Sequence, residues 1–231
     1  MKIGRFVIML LAFVATLVFL RLGSWQVSRL HERQRVNAGL AGRTQTPAVP
    51  IAQLPTDTAI AHYRRVSVAG AYDYANELVL TSRSRNGSPG VNIVTPVGLI
   101  ATDTAVLVVR GWVYSPDGTT VDLTKWREGP QLEGSGFVET YPPARRGVNA
   151  SPSHPKAYRW LDAQELESRL HYPLKPYYVV LTSPTGDTTK STPPRIMAPA
   201  MDEGPYKSYA IQWFSFAAIS IIGTILFLRR K

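Results

Sequence analysis

Two apolar runs sit at opposite ends of this chain, and they restrict its fold more than any other feature. Phe6 to Leu20 is interrupted only by Thr16, and Tyr209 to Leu228 contains no charged residue. A helix rising ~1.5 Å per residue needs roughly 20 residues to cross a hydrocarbon core of ~30 Å. The second run meets that length unaided. The first meets it when extended from Ile3 to Trp25, with Arg21 snorkelling toward the headgroups beside Trp25. Met1-Lys2-Ile3-Gly4-Arg5 would suit a signal peptide, but Arg21-Leu22-Gly23-Ser24-Trp25 lacks a small-x-small cleavage site, so the segment is expected to stay as an anchor.

Two spans separated by one long stretch place both termini on one side of the bilayer. Arg229, Arg230 and Lys231 follow the second span directly and predict that this side is cytoplasmic. The expected map is a tail at 1–5, a span at 6–25, an extracytoplasmic domain at 26–207, a span at 208–228 and a tail at 229–231. Within the domain, 26–39 continues the helix, since Leu22, Trp25, Gln26, Arg29 and Arg33 share a face, and the Gly/Pro/Thr-rich stretch 40–60 is a connector.

From Tyr63 onward the pattern is one of strands. Val66 and Val68 alternate with polar neighbours, and Glu77–Thr81, Val91–Val97, Leu132–Thr140 and Tyr177–Thr182 are short apolar runs. Ala105–Tyr114 (AVLVVRGWVY) has the length and β-branching of a buried central strand. Ser82–Gly90 predicts a hairpin-type loop. One helix stands out, capped by Asp162 with Glu165 three residues on and carrying Leu161, Leu166 and Leu170 on its apolar side. The expected class is a membrane-anchored α+β chain. Two transmembrane helices flank a mainly antiparallel β domain, either sandwich or partly closed barrel, with one or two short helices.

Charge and composition narrow the function. The formal net charge is +10, but Lys2, Arg5, Arg229, Arg230 and Lys231 flank the spans; setting these five aside leaves 21 of 26 basic residues against 16 acidic. That excess does not predict a nucleic-acid partner, which calls for clustered cations interleaved with aromatics. The absence of cysteine excludes thiolate catalysis and thiolate metal sites. His31, His62, His154 and His171 have no helical ligand spacing, so no metal site is expected. No phosphate-binding loop, GxGxxG, HExxH or GxSxG occurs, and Ser153-His154 lies in a Pro-flanked loop. No catalytic residue is assigned.

Four separated stretches resemble the Surfeit locus family of cytochrome c oxidase assembly factors, in a bacterial form. Gly23-Ser24-Trp25-Gln26-Val27-Ser28-Arg29 is similar to its Gly-x-Trp-Gln-x-x-Arg, and Tyr63 to Tyr72 (YRRVSVAGAY) to its first domain strand. GVNIVTP at 90–96 followed by VLVVRGWV at 106–113 resembles its central signature, and Tyr209-Ala210-Ile211-Gln212-Trp213-Phe214 the opening of its second span. The resemblance implies a non-enzymatic role in maturing a haem-copper oxidase in the cell (inner) membrane by aiding haem a insertion into the catalytic subunit. That subunit is the implied partner, with haem A synthase as a second and the lipid bilayer around both spans. Haem a enters as a transient load and no cofactor is required. A permanent accessory subunit of a respiratory complex, or an anchored ligand-binding domain, are the alternatives. The family commonly carries a His, considered a haem ligand, where this chain has Tyr206; tyrosine also ligates haem iron elsewhere.

The residues themselves supply a physical reading. Trp25, Gln26 and Arg29 end one span while Tyr209, Gln212 and Trp213 begin the other, so both groups lie at the outer membrane face. Glutamine beside hydrocarbon predicts interhelical or partner hydrogen bonds. Arg29 and Arg33 suit carboxylates such as haem propionates. These residues and Tyr206 are the haem- or partner-facing candidates. Arg110, Gly111 and Trp112 form a domain signature, structural or docking: a glycine in a strand marks a bulge or close approach, and Asp73 or Glu77 offers Arg110 a carboxylate.

Overall fold

The computed structural model describes residues 2–100, 102–143, 150–151, 153–182, 192–197 and 202–229. Arg230 and Lys231 of the terminal cation run lie outside these. The chain divides into two compact units, Met1–Ala41 with Ala200–Lys231, and Gly42–Pro199.

The first unit is an antiparallel pair of helices. Helix α1 runs Lys2–Gln45 and the C-terminal helix, α4, Tyr206–Arg229. Both are long and apolar enough to cross a membrane. Leu11 is 64% and Ile219 65% exposed, an apolar exterior that associates with lipid rather than water. The residues of α4 turned away from solvent are Tyr206, Ala210, Trp213, Ala217, Ser220, Thr224 and Phe227, in alternating steps of four and three. On α1 the matching series passes through Met9, Ala12, Thr16, Phe19, Gly23, Gln26 and Leu30. A sustained step of 3.5 residues is the seam of a left-handed two-helix supercoil.

Contacts fix its register. The Thr16 hydroxyl lies 2.9 Å from that of Ser220, which donates to the Ala12 carbonyl at 3.2 Å. Phe19 stacks on Trp213 at 5.9 Å, and a Cβ on Gly23 would stand 2.7 Å from the Phe214 ring. Small residues let the backbones approach where lipid supplies no hydrophobic drive between helices. Farther along, Arg33 and Asn37 both donate to the Asp202 carbonyl at 3.2 Å, and Gln34 donates to Glu203 at 3.0 Å.

The helical extension does not stop at Gly39. It continues to Gln45, because Leu40 prolongs the partly buried series and Arg43 fastens the last turn, donating to the Ala59 and His62 carbonyls at 2.6 and 3.3 Å. The stretch expected as a plain connector therefore holds the end of α1. It also holds strand β1 (Val49–Pro50), a 3-10 turn at Ile51–Gln53 and helix α2 (Thr58–Ala61), capped by Asp57.

In the second unit, strands β2 (Arg65–Tyr72), β3 (Leu78–Arg85), β4 (Ser88–Leu99), β5 (Ala105–Tyr114), β6 (Gln131–Thr140), β7 (Ala150–Ser151), β8 (His154–Tyr158) and β9 (Tyr177–Leu181) join β1 in one sheet. Its order is β1-β2-β6-β9-β5-β4-β3-β8-β7, and β2 also pairs with β4. That extra pairing closes β2, β6, β9, β5 and β4 into a ring. Most ladders are antiparallel; β5·β9, β3·β8 and β1·β2 are parallel. Gly70 and Gly98 meet at the closure, where a Cβ on Gly70 would come 2.3 Å from the Gly98 carbonyl.

Val66, Val68, Val97, Val106, Val108 and Val179 are among the residues filling the ring, with Ile51 and Leu54 also in this core. Leu107, Val109, Val94 and Val180 form a second core with Leu161, Leu166 and Leu170. Strand β5 is thus buried on both faces, as its continuous apolar run predicts. Helix α3 (Ala163–Leu170) starts at Asp162, which accepts from the Glu165 amide at 3.1 Å, and ends at His171 with φ of 60°. The Ser82–Gly90 stretch is less of a loop than expected. Asn86 and Gly87, with φ of 51° and 78°, make a two-residue turn, so β3 and β4 run on to Arg85 and Ser88.

The closure yields a prediction. Gly70→Ala is expected to cost about 1–3 kcal/mol through overpacking, whereas Gly39→Ala, with open space at its Cβ, should raise helix stability by up to about 1 kcal/mol. Thermal unfolding of the full chain in detergent checks both.

Candidate functional site

The motif residues fall into two places, one on each unit. In the helical unit, Gln26 is buried on the seam and its Oε1 has no hydrogen-bond partner among the described residues. Trp213 lies on the same seam against Phe19. Their neighbours turn outward. Trp25 is half-exposed, with the Arg29 guanidinium 5.7 Å from its ring centre, and Arg29 also pairs with Glu32 at 2.7 Å. Tyr209 and Gln212 are exposed on α4, and Tyr206 is half-buried in its first turn. Periodicity explains the division: 206, 210 and 213 continue the seam, while 209 and 212 fall beside it. Arg33 is exposed, with Nε committed to the Asp202 carbonyl. The two glutamines therefore differ, Gln26 facing α4 and Gln212 facing whatever surrounds the pair.

In the β unit the signature opens around a fully buried guanidinium. Ile93 pairs with Gly111 and Val94 with Val109, so Arg110 is the extra residue of a β-bulge. Its Nη1 donates to Glu77 at 2.6 Å and to Thr95 at 3.3 Å; Nη2 donates to the Trp126 carbonyl and reaches Glu128 at 3.4 Å. The rings of Tyr72 and Tyr74 lie 5.1 and 5.3 Å from the guanidinium carbon. Of the two carboxylates offered by the sequence, Glu77 is the partner. Asp73 instead caps a 3-10 turn, accepting from Asn76, and takes the Tyr172 hydroxyl at 2.9 Å. Burial pushes the Glu77 carboxyl upward, opposed by Arg110, and burial likewise raises the Tyr72 phenol.

Gly111 is required by a close approach. A Cβ there would stand 2.6–2.7 Å from the Pro194 and Pro193 carbonyls, and the Trp112 amide donates to Pro194 at 2.9 Å. This strap is locked by Arg195, which donates to the Arg110 carbonyl at 2.6 Å and holds Glu128 bidentately at 2.9 and 2.7 Å. Trp112 turns its indole onto Gly90, where a Cβ would lie 2.5 Å from the ring, and donates from Nε1 to the Arg83 carbonyl at 3.2 Å. Glu128 and Arg195 were not singled out by sequence reasoning. They stand 18 and 85 residues from Arg110, beyond any local spacing rule.

Among the described residues, no three His, Asp or Glu side chains gather as a metal site. The cluster's chemistry is that of a structural clamp, with three guanidiniums (Arg110, Arg127, Arg195) balanced on two carboxylates. Removing one member of a buried pair leaves an uncompensated charge. Arg110→Met is expected to destabilise the domain by about 3–5 kcal/mol, and Arg110→Met with Glu77→Met to recover most of that loss. Chemical unfolding of the full chain in detergent measures both.

The whole arrangement has counterparts. The SURF1 family matches residues 13–218, a stretch that contains every motif residue of both units. A SURF1-like protein of Rickettsia felis is 25% identical over 225 residues, 96% of this chain and 96% of its own. Surfeit locus protein 1 of Takifugu rubripes is 30% identical over 107 residues, 40% of this chain and 45% of its own. Cytochrome oxidase assembly protein SHY1 of Saccharomyces cerevisiae is 25% identical over 150 residues, 62% of this chain and 38% of its own. With the β domain, the signature and the facing parts of both helices inside the matched stretch, this chain belongs to the SURF1 family.

Proposed function

We propose that this protein is a membrane-anchored, non-enzymatic assembly factor for a cytochrome oxidase, aiding haem a insertion into the catalytic subunit. The observation that carries the reading is family membership, together with a relative whose name is cytochrome oxidase assembly protein. The catalytic subunit is the partner of this reading, and haem A synthase a second one from which haem a would be received as cargo.

The topology belongs to the same proposal. Arg229 closes α4 and two further cations follow it in sequence, which supports cytoplasmic termini and an extracytoplasmic β domain. In this orientation Trp25, Arg29, Tyr209 and Gln212 stand at the outer face of the membrane. Gln212 carries an exposed amide beside an apolar helix surface, which favours a partner able to hydrogen-bond it. Arg29 and Arg33 keep exposed guanidinium groups suited to propionates. Tyr206, at the start of α4, is the residue in the family's histidine place; the reading rests on contact with the partner and the haem periphery and requires no iron ligand from this chain.

A deletion strain should lose most of the haem a band in the reduced-minus-oxidised spectrum of its membranes. An unchanged band would overturn the assembly role. Arg29→Ala and Gln212→Ala, at normal protein abundance, should each lower the band; normal haem a content in both would remove these residues from the site.

A further inference from the structure

The β3–β4 hairpin and the strap at 192–197 enclose a groove of about 560 Å3 that the clamp and the helix pair do not use. Trp112 and Ile196 contribute to its lining, Trp112 held in place by Gly90 and by its bond to the Arg83 carbonyl. Met197 stands beside them, 81% exposed. Arg83 and Arg85 come from alternate positions of β3 and so project on one face. Arg83 is anchored, donating to the Arg159 carbonyl at 3.1 Å, whereas Arg85 makes no ion pair among the described residues. Among the described residues, no carboxylate lines the groove. Glu139, which together with Arg83 influences the Tyr178 phenol, is engaged by His62 at 3.2 Å.

We propose that this groove is the docking site for an acidic, extended segment of a protein partner, with one apolar side chain seated against Trp112, Ile196 and Met197. Uncompensated guanidinium charge selects carboxylates, and Arg presents a fork that holds them bidentately. An aromatic and a methionine beside that charge supply an apolar anchor of the kind found at interface hot spots. The site is preorganised: a tight two-residue turn sets the hairpin, and the Arg195–Glu128 pair and the Trp112–Pro194 bond set the strap. Rigid walls lower the ordering cost of binding. A concave groove with apolar and cationic walls fits an inserted side chain better than a planar lipid surface. The inference rests on the assembly-factor reading for the partner's class, an oxidase subunit.

The test places a photo-crosslinking residue at Met197 of the full chain in native membranes, with Ile100, 70% exposed, as the control position. The expected product joins Met197 to an Asp/Glu-rich segment of an oxidase subunit. Arg85→Glu should lower its yield roughly tenfold, the loss expected for one charge-assisted contact, and high salt should lower it too. Arg85→Glu should leave the thermal midpoint unchanged. Crosslinks to lipid, to a second copy of this chain or to a segment without acidic residues would overturn the proposal, as would no crosslink or a yield indifferent to Arg85→Glu. Normal haem a in the deletion strain, with an Arg85-dependent crosslink to an acidic segment of another protein, would instead overturn the assembly role and leave the groove standing.

Discussion

A guanidinium with no exposure to solvent sits in the middle of a strand buried on both faces, and the β domain is organised to keep it there. Isolated, such a charge would cost several kcal/mol to bury. Arg110 offsets much of that cost through its two Nη groups, which reach Glu77, Thr95, Glu128 and the Trp126 carbonyl. These four partners come from three separate stretches of chain. The turn before β3, strand β4 and the loop before β6 are therefore tied to one point on β5. Arg195 extends the tie to the strap beyond β9 by bridging Glu128 and the Arg110 carbonyl. The bulge at Arg110 is the geometric condition for all of this, because one extra residue allows Arg110 to turn into the cluster while Gly111 receives the strap.

The helix pair is organised by the opposite means. Its seam is apolar, small or weakly polar, its step is 3.5 residues, and its polar contacts include the Thr16–Ser220–Ala12 cluster, the Arg33 and Asn37 bonds to Asp202 and the Gln34 bond to Glu203. Gln26 is the exception, a buried amide oxygen on the seam without a partner among the described residues. Outward polar groups at the same level, Arg29 and Gln212, are what distinguish these helices from simple anchors. Signature residues consequently serve different ends: Gly23 and Gly111 make room for neighbours, Arg110 and Gln26 are interior, and Trp112 belongs to both the packing of Gly90 and a groove.

Much of the frame was legible locally. The apolar runs at 6–20 and 209–228, the double-sided apolar strand Ala105–Tyr114 and the Asp162 cap all announce themselves within one window of sequence, since hydrophobic burial, strand alternation and capping act over a few residues. Gly39 reads locally as a helix stop, yet α1 runs past it to Gln45. The Cβ position of Gly39 is open space, and Arg43 supplies a tertiary fastening that no helix-end signal encodes. The hairpin at 82–90 is legible as a hairpin-type loop, but its polar composition hides how far β3 and β4 run toward the Asn86-Gly87 turn.

The sequence by itself determined that this chain has two apolar helices around a mainly β domain, and its motifs identified the family, because periodicity and short spaced motifs are carried by contiguous residues. The tertiary structure decided which carboxylate serves Arg110, why Gly111 has no side chain, how β2 and β4 close the ring, and that Arg83, Arg85, Trp112 and Met197 share one groove. Those outcomes depend on groups tens of residues apart in sequence, whose attraction becomes effective only once the sheet has brought them within hydrogen-bond distance and water has been removed between them.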